Sequence, residues 1–106
     1  MPQSVIDQLI KENQAAKMRE RRMADRTALV RPVVIQAIRG TQIFHGFTRD
    51  ISALGVGVVS PTAWKPPAMV TLKIHSLRGH PLTVKAESRW CEEYGDGWFL
   101  VGFVFR

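Results

Sequence analysis

From Leu29 to the C-terminus, apolar residues recur at every second position in short runs separated by turn residues. Side chains alternate between the faces of a strand, so this period gathers them on one face of a sheet and would scatter them around a helix. Val33, Ile35 and Ala37 alternate with Val34, Gln36 and Ile38; Arg39-Gly40-Thr41-Gln42 reads as a hairpin turn; and a second strand is predicted over residues 43–48. Residues 49–54 are predicted to form a corner, followed by a short strand over 55–60 with Val56 and Val58 on one side. The prolines of Pro61-Thr62-Ala63-Trp64-Lys65-Pro66-Pro67 remove donors and fix φ, which makes this segment a loop. Val70, Leu72 and Ile74 then oppose Thr71, Lys73 and His75, and Arg78-Gly79-His80-Pro81 turns the chain. Leu82, Val84, Ala86 and Ser88 are expected to face inward, with Lys85, Glu87 and Arg89 outward; residues 92–97 turn again and 98–105 close the sheet. Short, evenly spaced strands predict an antiparallel sandwich or barrel, and a barrel is favoured because closure removes exposed edges.

Upstream the pattern is helical. Ser4 and Asp7 have the spacing of an N-cap and an acidic third helical position, and Val5, Ile6, Leu9 and Ile10 form one apolar face. No Gly or Pro interrupts the chain from Ser4 to Arg22, which predicts a helix over about residues 4–20 whose apolar stripe fades after Ile10. At 106 residues the chain is one domain with a single modest core. We divide it into an N-terminal helix within residues 1–20 and a β domain over 21–106. The helix could pack its first turns on the β domain, or dock a second copy of the chain or a partner protein.

Between helix and strands lies the densest basic stretch. Residues 1–31 hold seven Lys/Arg and four acids, and Arg21, Arg22 and Arg26 fall where turn character begins. A guanidinium fork suits phosphate oxygens and equally the O6/N7 edge of guanine. The predicted corner, Asp50-Ile51-Ser52-Ala53-Leu54-Gly55, supplies the complement. Asp50 offers acceptors for the N–H groups on guanine's other edge, Ser52 a hydroxyl that donates or accepts, and Gly55 either a positive φ or a close approach. A site using both segments would suit a guanine nucleotide. Asp50 also has a plainer reading, as a turn former bonding its own backbone.

Arg22-Met23-Ala24-Asp25-Arg26 has the form RxxxR, and Asp50 to Gly55 has the form [D/N]xSxxG. In order and approximate spacing these resemble the paired motifs of PilZ domains, and Glu87-Ser88-Arg89-Trp90 and Gly102-Phe103-Val104-Phe105 look like that family's last two strands. The resemblance covers about residues 19–106. It implies a mainly β fold, a small antiparallel six-stranded PilZ-type β-barrel carrying an N-terminal helix, and binding of the bacterial second messenger cyclic di-GMP. Carried over onto matching positions, it assigns ligand contacts to Arg21, Arg22, Arg26, Asp50, Ser52 and Gly55. A long basic residue just before RxxxR, here Arg21, goes in this family with an intercalated cyclic di-GMP dimer. Trp90 has two readings, a packing residue of the core or rim, or a platform for a guanine. Asp25, an acid inside RxxxR, departs from what phosphate binding favours and could instead orient Arg22 or Arg26.

The remaining chemistry argues against an enzyme. His45, His75 and His80 have no ligand spacing, and Glu92 and Glu93 beside Cys91 disfavour an activated thiolate. No cofactor or metal is expected beyond the nucleotide. A formal net charge of +6 favours an anionic partner. A basic small-barrel binder of nucleic acid, or a protein-interaction module without a nucleotide, is the alternative, but no strand interleaves aromatic and basic residues on one face. One cysteine, no apolar run near ~20 residues and no signal-peptide pattern predict a cytoplasmic protein. The receptor role that the resemblance implies adds an unidentified effector protein as partner, with the chain a monomer or a homodimer through the helix.

Overall fold

The fold was obtained as a computed structural model that describes residues 26–106. The predicted helix, Arg21 and Arg22 lie outside the described residues. The elements are β1 (Thr27–Ala28), β2 (Pro32–Ala37), β3 (Ile43–Ile51), β4 (Gly55–Ser60), β5 (Met69–Ile74), β6 (Leu82–Gly95) and β7 (Trp98–Phe105). All pairings are antiparallel, in the order β3, β2, β5, β6, β7, β4, and β4 pairs back onto β3 to close a six-stranded barrel. β1 continues along the edge of β3 that β2 leaves, with Thr27 opposite Ile51 and Ala28 opposite Asp50.

The break between β1 and β2 is stitched by Thr48, which is 1% exposed. Its hydroxyl donates to the Leu29 carbonyl at 2.6 Å and accepts from the Arg31 amide at 2.9 Å. The flanking backbone bonds, Leu29 N to Arg49 O and Thr48 N to Arg31 O, leave Val30 projecting into solvent between them. A buried hydroxyl thus replaces the ladder bonds that the interruption removes.

The predicted alternation holds for β2, β4 and β5: Val33, Ile35, Val56, Val58, Val70, Leu72 and Ile74 fill the core with Ala86, Val101 and Phe103. Trp64, from the proline loop, plugs this core as a packing residue. Its ring meets Phe44 edge to face at 5.6 Å, and its indole N–H donates to Ser60 Oγ at 3.1 Å. Trp98, the first residue of β7, is exposed. Leu82, expected to face inward, is 51% exposed at the start of β6.

Two predicted turns are shorter than expected. β3 runs on through Asp50 and Ile51, so the corner shrinks to residues 52–54. β6 runs to Gly95, leaving a two-residue hairpin at Asp96 and Gly97, both with positive φ as such turns require.

β3 and β6 each carry an irregularity that simple alternation does not anticipate. The β3–β4 register shifts between Thr48 and Asp50, and the β6–β7 register shifts between Ser88 and Trp90 and again near the hairpin between Glu93 and Gly95. An extra residue in one strand reverses the facing of everything beyond it. Thr48 lies opposite Val58 inside the barrel, but Asp50 lies opposite Gly57 outside it; Ser88 lies opposite Phe103 inside, but Trp90 lies opposite Gly102 outside.

Replacing Thr48 by Val keeps the shape and deletes both hydroxyl bonds, leaving the Leu29 carbonyl and Arg31 amide unmet. We expect a loss of roughly 1–3 kcal/mol, read as a lower denaturant midpoint at unchanged slope.

Candidate functional site

The register shifts before Asp50 and before Trp90 lie at the ends of one row of residues crossing four strands on the outer wall: Asp50 on β3, Gly57 on β4, Gly102 on β7 and Trp90 on β6, each opposite the next. The two glycines form the floor. A Cβ at Gly57 would stand 2.6 Å from Asp50 Oδ1, and one at Gly102 would overlap the Trp90 indole. Glycine in mid-strand commonly marks such a close approach.

Asp50 is sealed by its neighbours, its side chain only 2% exposed. A buried carboxylate persists only when donors meet it. Here Oδ1 accepts from Arg26 Nη1 at 2.9 Å and from the Gly57 amide at 3.2 Å, while Oδ2 accepts from Arg49 Nε at 3.3 Å. The carboxylate therefore reaches across strands and is not the Asx-type turn former that the sequence also allowed. Arg49 continues the row, its guanidinium carbon 5.9 Å from the centre of the Trp90 ring, within cation–π range. One charged chain, Arg26–Asp50–Arg49–Trp90, thus spans the outer wall from the start of β1 to β6.

Among the sequence-predicted site residues, Arg26 and Asp50 are in direct contact and Trp90 is on the same face, half-buried and turned away from the core. Ser52 sits in the turn, where its hydroxyl accepts from the amides of Leu54 at 3.2 Å and Gly55 at 3.3 Å. In this arrangement Ser52 holds the shape of the turn. Gly55 does not have a positive φ; a Cβ there would collide with the carbonyl of Phe103, so its smallness serves the approach of β7. Arg49, Gly57 and Gly102 were not predicted as site residues. The signal for the glycines was available in two mid-strand positions, whereas that for Arg49 required knowing the register shift beside it.

The architecture is that of a small, closed, six-stranded antiparallel β-barrel whose outer wall carries a glycine-floored row of charged and aromatic side chains. A family model of the PilZ domain matches residues 20–106, and the chain belongs to that family. PilZ domains are cyclic di-GMP receptors, a binding family and not an enzyme family. No curated protein matches the chain. Among the described residues, no helix is long and apolar enough to cross a membrane.

The packing of Trp90 on Gly102 has a direct consequence. Gly102→Ala is expected to lift the indole off the wall and shift tryptophan fluorescence while far-UV circular dichroism stays that of a barrel. Gly55→Ala, whose new atom meets backbone, is expected to lower the melting temperature instead.

Proposed function

We propose that this PilZ domain binds cyclic di-GMP and relays its binding to a partner protein. The observation that carries the reading is the 2.9 Å contact between Arg26, the last residue of RxxxR, and Asp50, the first of DxSxxG. It brings the two motifs, far apart in sequence, to one point on the barrel wall. Arg21, Arg22 and Arg26 would supply forked donors for phosphate oxygens and the O6/N7 edge of guanine. Asp50 would accept from the opposite edge of the base, Ser52 and Gly55 would shape the turn beneath it, and Trp90 would offer a stacking face. Arg21 favours an intercalated pair of nucleotides.

Holding residues 21–26 in one arrangement costs about 1–2 kcal/mol of backbone entropy per residue. Charge-assisted bonds of about 1.5–3 kcal/mol each offset it. Arg26 pairs with Asp50, so a nucleotide that engaged both would exchange one partner of each for another, and the junction over residues 18–31 would change with it. That change is the proposed output toward an effector in the cytoplasm, with no chemical step.

Calorimetry on the purified chain is expected to show saturable binding of cyclic di-GMP and none of GTP or single-stranded RNA. Two ligands per protomer would support the role of Arg21. Arg22→Ala and Arg26→Ala are expected to abolish binding with the barrel intact, and unchanged affinity would remove them from the site. Trp90→Ala is expected to weaken binding by about 1–3 kcal/mol if its ring stacks on a base.

A further inference from the structure

Arg49 stands in the middle of the row and belongs to neither motif. Its side chain is 15% exposed, with Nε on Asp50 Oδ2 at 3.3 Å and the guanidinium carbon 5.9 Å from the centre of the Trp90 ring. Nη2 lies over Gly57, within 3.3 Å of where a Cβ would be. The group therefore holds the acceptor, the aromatic face and the glycine floor at once. The first two are the features that the proposed function gives to a guanine.

The chemistry of the overlap is specific. The edge of guanine that Asp50 would read, N1–C2–N2, is a guanidine fragment fused into a ring: planar, rich in N–H donors and able to lie against an indole. Asp50 Oδ1 already accepts from Arg26 and the Gly57 amide, so Oδ2 is the oxygen left for a planar fork, and a guanidinium lying between Oδ2 and the indole stands where a second plane would have to lie. We infer that Arg49 is a built-in stand-in for the base, occupying the guanine position of the free domain, so that nucleotide enters only when Arg49 leaves Asp50 and Trp90. The inference rests on the proposed function and adds a residue that sets its affinity.

Arg49 Nη2 is buried with no hydrogen-bond partner among the described residues. The closed arrangement thus leaves a donor unmet, which keeps it displaceable. Apparent affinity falls with the fraction of molecules whose site is open, so removing the stand-in raises it. Its positive charge acts in the opposite direction, drawing in a dianionic ligand. A substitution that keeps the charge and removes the plane separates the two effects.

The test is a cyclic di-GMP titration of the full chain as wild type, Arg49→Lys and Arg49→Ala, with circular dichroism to establish folding. Arg49→Lys is expected to bind more tightly than wild type by roughly fivefold or more, the scale of the competing contacts it loses. Arg49→Ala restores a vacancy of guanidinium shape, so dilute guanidinium chloride is expected to weaken its binding more than sodium chloride at equal ionic strength. Wild type should respond equally to both salts. Equal or weaker binding by Arg49→Lys makes Arg49 a ligand contact or a bystander and overturns the inference, as does an Arg49→Ala protein indifferent to guanidinium. Binding by Arg49→Lys alone, with none by wild type, supports it in its strongest form. Absence of binding by all three proteins overturns the proposed function and this inference with it.

Discussion

A carboxylate shut away from water must be answered by donors, and Asp50 is answered from three separate stretches of chain. Arg26 reaches it from the start of β1, Arg49 from the adjoining position of β3, and the Gly57 amide from β4. Since β1 is only two residues long, its ladder with β3 is a weak tether. The ion pair from Arg26 reinforces it, assisted by the buried hydroxyl of Thr48 at the break between β1 and β2. Withdrawing one donor from such a carboxylate costs far more than a surface ion pair would, because the remaining charge stays desolvated. The entry of the chain into the barrel and the charge state of the outer wall are therefore one problem with one solution.

That solution depends on two register shifts, one before Asp50 in β3 and one before Trp90 in β6. Without the register shift before Asp50, its carboxylate would point among valines; without the shift before Trp90, the indole would compete with Phe103 for the core. Each extra residue sends the next side chain outward and returns the one after it, Ile51 in β3 and Cys91 in β6, to pack against the core. Polar and aromatic side chains are thus gathered on the wall with no loss of core continuity. The cross-strand pairing of Gly57 with Gly102 gives them a level surface to lie on.

The consequence for recognition is that the wall is already occupied. Arg26 and Arg49 share one carboxylate, and Arg49 also covers Trp90. A nucleotide bound as proposed would replace internal contacts of the same chemical kind as those it makes. Its net affinity is then a difference between similar terms, the circumstance in which single residues at the rim tune binding most sharply.

The strands and core were legible in the sequence because a period of two has one structural meaning, and Val33, Ile35, Val70, Leu72 and Ile74 stand where it puts them. The two motifs were legible because they are local strings whose residue types suit phosphate and base. Their meeting at Arg26 and Asp50 lay beyond the sequence, since contacts separated by 24 positions follow from closure and register and not from any local pattern. The extents of β3 and β6 were misjudged for the same reason: Asp50 and Glu92 to Gly95 look like turn residues, and strand pairing with β4 and β7 overrides that local preference. Residue types and their spacing determined that this chain would make a small barrel with an arginine segment and a DxSxxG turn. Which way Asp50 and Trp90 face, and that Arg49 lies between them, was decided only in the closed sheet, because a one-residue slip in pairing turns a side chain from core to wall while leaving the sequence pattern almost unchanged.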